Sequence, residues 1–133
     1  MKLEDNLYYY PWTSMTENNC NSYYIGGKVP TLIDTGHKHR VGNLISLMEK
    51  DGIDPEGIKL VISTHAHPDH FEGNQVFANN NVKMAIHREE DRFMQGIGAR
   101  MYKMFGLEMP HLTIDFYLQE GDLTLGANEF QIY

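Results

Sequence analysis

Ile58-Lys59-Leu60-Val61-Ile62-Ser63 is a short and nearly all-apolar run. Its length and pattern are those of a strand buried on both faces. It delivers the chain straight into Thr64-His65-Ala66-His67-Pro68-Asp69-His70, where three histidines and an aspartate fall within six residues. Side chains two apart on extended backbone point the same way, so His65 and His67 reach one ion together. Pro68 restricts the backbone and turns the chain. Asp69 and His70 then face a second point nearby. Imidazole nitrogen and carboxylate oxygen are donors that zinc accepts, at roughly 2.0–2.2 Å. Iron and manganese accept them too, so the donor set does not fix the metal. A lone histidine is ordinarily a surface or satisfied core residue. Four metal-capable side chains at the mouth of one buried strand point instead to a metal site.

The flanking segments set the architecture. Leu7 to Tyr10 is aromatic and β-prone, and Pro11 stops it. Thr13 to Asn21 is a polar loop. Ser22 to Ile25 reads as a second strand and Val29 to Ile33 as a third, with Gly26-Gly27-Lys28 turning between them. From Arg40 to Lys50 the period changes. Val41, Leu44, Ile45, Leu47 and Met48 recur at spacings of three and four, which predicts an amphipathic helix closed by Asp51-Gly52. Phe71 to Ala78 reads as a short helix broken by Asn79-Asn80-Asn81, and Val82 to Ile86 as a strand. Glu89 to Phe105 reads as a helix weakened by Gly96 and Gly98. Asp115 to Leu118 and Asp122 to Tyr133 return to strand, with a turn at Gly126-Ala127-Asn128. A strand meander followed by strands alternating with helices predicts an α+β chain, a mixed β-sheet with helices on one face. The 133 residues suffice for one domain over 1–133 with a real core. The last strand runs to the final residue, from which we expect a chain cut short at its carboxyl end.

Charge and cysteine content exclude several classes. The 18 acidic against 11 basic residues leave a net charge of −7, which repels phosphate backbones and disfavours nucleic acid as a partner. A metal ion can still reverse the local field for a small substrate. The single cysteine, Cys20, rules out a disulfide scaffold and reads as a small buried side chain. No apolar stretch follows the start as in a signal peptide, and none approaches the roughly 20 residues that cross a bilayer. The expectation is a cytoplasmic protein without a membrane partner.

The His-x-His-x-Asp-His cluster after an apolar strand resembles the signature of the metallo-β-lactamase superfamily. Leu32-Ile33-Asp34-Thr35-Gly36, upstream, is similar to that family's strand-end Asp-x-Gly, and the run Thr64 to Asn74 resembles its hydrolase branch, which includes glyoxalase II-like thioesterases. The order of elements agrees from about Tyr8 to Tyr133. The resemblance implies an αββα sandwich of two βα halves, of which this chain supplies an incomplete amino-terminal half. It implies His65 and His67 as ligands of a first metal, Asp69 and His70 as ligands of a second, and Asp34 as a buried acid supporting the metal loop by hydrogen bonds. A third histidine, a bridging aspartate and a last histidine of the family pattern are not in the chain.

The activity so implied is hydrolysis, with hydroxide formed on one or two zinc ions attacking a thioester, lactone or similar ester, and Asp69 orienting the nucleophile. Iron or manganese are alternative metals. A mononuclear-iron enzyme resembling sulfur dioxygenases is the competing activity. A half-fold that binds metal weakly, or pairs with another chain, is the non-catalytic alternative. A half-fold leaves one sheet face uncovered, which predicts a homodimer or swapped assembly. His87 and His111 are read as helix-end and loop residues, and His37 and His39 as residues of the metal rim. The methionines from Met94 to Met109 are core packing or an apolar wall, and the Trp12 loop is the other candidate wall.

Overall fold

The computed structural model of the chain describes residues 1–79 and 81–133. Seven strands form one sheet, ordered in space as in sequence. The first four, β1 (Lys2–Glu4), β2 (Leu7–Tyr10), β3 (Ser22–Ile25) and β4 (Thr31–Ile33), run antiparallel as a meander. From β4 onwards the pairing is parallel, through β5 (Leu60–Ile62), β6 (Lys83–His87) and β7 (Phe116–Leu118). Parallel neighbours require crossovers. Helix α1 (Val41–Lys50) makes the first, and α2 (Pro68–Phe71) with α3 (Asn74–Phe77) the second. The third consists of α4 (Arg88–Phe93), a π-helical Met94–Gly98 and α5 (Ala99–Met104). Strands β8 (Gly121–Leu125) and β9 (Asn128–Ile132) form a separate hairpin.

Strand β5 shows how the pleat builds two cores. Val61, fully buried, packs with Leu32, Met84 and Phe77 against the α1 residues Val41, Leu44 and Met48. Its neighbours Leu60 and Ile62 point the other way, onto Ala85, Leu118 and the hairpin residues Leu123, Leu125 and Ile132. Each such fully buried aliphatic side chain contributes roughly 1.5–3 kcal/mol. The mixed sheet with helices on one face is as expected. The opposite face, expected to be bare, is met by the β8–β9 hairpin.

Several boundaries differ from the sequence reading for identifiable reasons. The helix expected over 71–78 is two short helices separated at Glu72-Gly73, because the Gly73 amide donates to Gly36 O at 2.7 Å and pins the chain there. The helix expected over 89–105 is interrupted at Gly96, whose φ of −119° and ψ of −110° are not helical. Leu47 belongs to the apolar spacing of α1 yet is 43% exposed, so the buried stripe is narrower than the pattern. The expected break at Asn79-Asn80-Asn81 includes Asn80, which lies outside the described residues. Among the described residues, no helix is long and apolar enough to cross a membrane.

Candidate metal centre

The centre is built where β4 and β5 end side by side. Asp34 leaves β4 with φ of 55°, a left-handed conformation that aspartate tolerates better than most residues. Its amide donates to Ile62 O at 2.9 Å, which ties it to the end of β5. The carboxylate is buried and turns towards the loop after that strand. Asp34 Oδ1 accepts the Thr64 amide at 2.7 Å, and Oδ2 accepts the Thr64 hydroxyl at 2.6 Å. The same Oδ2 lies 2.9 Å from His70 Nδ1. One carboxylate thus fixes both the entry to the histidine loop and the orientation of its last imidazole.

Alternation along the loop sorts its side chains. Ala66 is fully buried against Phe71, Ile86 and Met94. Its amide donates to Glu90 Oε2 at 2.8 Å, and its carbonyl accepts the hydroxyl of the fully buried Tyr102 at 2.9 Å. With Ala66 held inward, His65 and His67 project to the opposite side. His67 is extended, with φ of −64° and ψ of 146°, and Pro68 opens α2 directly after it. That helix carries Asp69 and His70 back over the strand end. The His65 ring centroid lies 4.8 Å from that of His67 and 4.0 Å from that of His70. Asp69 Oδ2 lies 3.6 Å from His70 Nε2 and accepts Asn18 Nδ2 at 2.9 Å. Beneath the loop, Thr35 Oγ1 donates to Asn74 Oδ1 at 2.7 Å and Asn74 Nδ2 to Ser63 Oγ at 2.8 Å, so these buried polar groups satisfy one another.

The electrostatics follow from this packing. Burial, then the neighbouring His70 and His67 charges, lower the His65 pKa, which favours the neutral form that ligates metals. The hydrogen bond with Asp34 raises the His70 pKa against the opposing effect of burial. With Nδ1 held by Asp34, His70 presents Nε2 outward, the arrangement in which a carboxylate orients a ligating imidazole. Three crowded imidazoles with Asp69 beside them form a donor set that could hold a zinc-like ion.

The structure therefore brings His65, His67, Asp69 and His70 together over Asp34. The tightest convergence lies elsewhere. Among the described residues, one group of three His, Cys, Asp or Glu side chains has its ligand atoms all within 4.8 Å of one another, and it comprises His37, His39 and Glu72. The sequence reading sets His37 and His39 at the metal rim and does not group them with Glu72. Glu72 carried no signal, because its direction depends on the break between α2 and α3. Asn18, Glu90 and Tyr102 were also missed, since each reaches the loop only through tertiary contact.

Other expectations resolve individually. His87 caps α4, with Nδ1 accepting the Glu89 amide at 3.2 Å, and His111 is exposed in a loop. Met94 is core, whereas Met104 is 83% exposed, so the methionines do not form one wall. Phe93 does stand at the site, its ring centroid 5.9 Å from that of His67. Trp12 is half-buried, its indole donating to Glu17 O at 2.7 Å. It lines a hollow with Tyr10, Cys20 and Leu44 to which none of His65, His67, Asp69 and His70 contributes.

A profile of the metallo-beta-lactamase superfamily matches residues 15–131. Among solved structures, BJP-1, a subclass B3 metallo-beta-lactamase of Bradyrhizobium japonicum, superposes with a TM-score of 0.78 at 24% identity, covering 98% of this chain and 49% of that one. The native FEZ-1 metallo-beta-lactamase from Legionella gormanii gives a TM-score of 0.76 at 22% identity, covering 93% and 48%. The metallo-beta-lactamase GOB-18 from Elizabethkingia meningoseptica gives 0.69 at 23%, covering 80% and 41%. The chain thus spans about half the length of the first of these structures. No curated protein matches it. At these identities the superpositions establish the fold, and the profile match over most of the chain establishes that it belongs to the metallo-beta-lactamase superfamily.

Proposed function

We propose that this chain carries metal ligands of a metal-dependent hydrolase acting on a thioester, lactone or similar activated ester. The supporting observation is the crowding of His65, His67 and His70 at the end of β5, with Asp34 holding His70 by Nδ1. In this reading His65, His67, Asp69 and His70 are the ligands, and Asp34 is a positioning residue. A zinc-like ion, when bound, supplies Lewis acidity and brings the pKa of water towards about 7. The chain's own residues prepare for that. Burial and the neighbouring imidazoles lower the His65 pKa, which favours the neutral form that ligates a metal. Asp69, which accepts a hydrogen bond from Asn18, would ligate the ion and orient the attacking water. Phe93 beside His67 offers an apolar wall against which a substrate's non-reacting portion can pack.

The test measures zinc content and turnover on the same preparations. His65→Ala/His67→Ala protein should lose a bound ion and, in a form of the protein that turns over a thioester or lactone panel, at least about 100-fold in kcat/KM, or roughly 2.7 kcal/mol of transition-state stabilisation. Unchanged zinc content and unchanged turnover in that variant would falsify the reading. Oxygen uptake by iron-loaded protein without ester turnover would overturn it in favour of iron-dependent oxidation.

A further inference from the structure

We propose that His37, His39 and Glu72 form a second divalent transition-metal site, separate from the histidine cluster that follows β5. Their ligand atoms already lie within 4.8 Å of one another. Around a tetrahedral zinc, ligand atoms stand roughly 3.3 Å apart, so the three side chains need only close inward. His39 is the most exposed of the three, with 57% of its side chain exposed.

Glu72 supplies an independent argument. It is only 5% exposed, and among the described residues its sole ion-pair partner is His37, whose Nδ1 lies 3.4 Å from Glu72 Oε1. Glu72 Oε1 also accepts the Lys38 amide at 2.9 Å, and among the described residues no lysine or arginine pairs with it. Arg40, the nearby strong cation in sequence, is paired with Glu17 instead. Buried charges are compensated by a countercharge or a metal, and a divalent ion between Glu72 and the two imidazoles does this directly. His39 is also oriented for the task. Its Nε2 pairs with Glu17 Oε1, a carboxylate–imidazole pairing that recurs behind metal-bound histidines.

The site is distinct from the loop cluster. Successive helical residues rotate by about 100°, so two residues apart project to nearly opposite sides. Accordingly His70 turns to Asp34, whereas Glu72 turns to His37 and to the Lys38 amide, which it accepts at 2.9 Å. An ion here would join the β4–α1 connection to the end of α2 and, through Glu17, to the Trp12 loop. Two imidazoles and a carboxylate leave at least one coordination position open to water or ligand.

The experiment is zinc binding to the 133-residue chain by equilibrium dialysis with elemental analysis, supported by visible-absorption titration with cobalt(II). The His65→Ala/His67→Ala background should still bind one zinc. Adding Glu72→Gln, or separately His39→Ala, should weaken that zinc by at least about tenfold and reduce the cobalt d–d bands. Glu72→Gln retains a carbonyl acceptor for the Lys38 amide, so an unchanged urea midpoint shows that the fold is intact. If the His65→Ala/His67→Ala background binds no zinc, or if its zinc is indifferent to both added substitutions, the second site does not exist and Glu72 is a helix-capping group only. Neither result depends on the hydrolase reading, which stands or falls on the ion lost with His65 and His67.

Discussion

Asp34 grips Thr64 at two points, taking its amide on Oδ1 at 2.7 Å and its hydroxyl on Oδ2 at 2.6 Å. The two residues end adjacent parallel strands, so this contact sets where the histidine loop begins. Asp34→Ala leaves the Thr64 amide without that acceptor, frees His70 Nδ1, and places an alanine at φ of 55°. We expect a loss of about 2–3 kcal/mol from the hydrogen bonds, with the left-handed backbone adding about 1 kcal/mol. Asp34→Asn keeps one acceptor and tolerates the backbone, and should lose only about 1 kcal/mol. Urea unfolding of both variants checks the order. Equal destabilisation would mean that the carboxylate is not what secures the loop.

Gly73 allows the two short helices after the loop to close onto the connection between β4 and α1. A Cβ at this position would lie 2.7 Å from Gly36 O and 2.6 Å from Val41 Cγ2. The Val41 methyl can move, whereas the Gly36 carbonyl is backbone and already accepts the Gly73 amide. Gly73→Ala should therefore destabilise the protein by about 1–3 kcal/mol, although alanine ordinarily favours a helix over glycine. A thermal melt that rises on this substitution would show that the close approach does not constrain the fold.

Tyr102 holds the inward residue of the metal loop from the far crossover, its hydroxyl donating to Ala66 O at 2.9 Å in a fully buried setting. Tyr102→Phe preserves the packed ring and removes only that donor. The expected cost is about 1 kcal/mol. Amide hydrogen exchange should accelerate over residues 64–70 more than over α1, because α1 packs in a different cluster. Uniform acceleration across both would instead indicate global loosening.

Legibility from sequence divided along a physical line. Leu60 to Ile62 and the following histidines were readable because burial and donor chemistry are both written in consecutive residues. The α1 stripe was readable because Val41, Leu44 and Met48 repeat at the helical period. Strand β1 was not, since Lys2, Leu3 and Glu4 are all exposed and owe their extended form to pairing with β2. The break at Glu72-Gly73 was not either, because it is enforced by Gly36, far upstream in the chain. That break decides where Glu72 points, so its convergence with His37 and His39 could not be read from the sequence.

Cys20 gives a pH-dependent prediction that rests chiefly on burial, with smaller contributions in the same direction from Asp34 and Asp69. Burial pushes its thiol up from an ordinary 9.0 to about 12, against a smaller opposing effect of the Ser22 hydroxyl. The folded thiol is therefore protonated at pH 8, and native protein should resist alkylation by iodoacetamide there, reacting only as it unfolds. The sign for stability follows from the same shift. The folded pKa is raised, so the contribution is fully present below the unfolded value near 9.0 and is lost as pH climbs towards about 12. Urea midpoints measured between pH 8 and pH 11 should fall, and should fall less steeply in Cys20→Ala protein. Rapid alkylation of folded protein at pH 8, with an unchanged urea midpoint, would place Cys20 in an open and solvated environment instead.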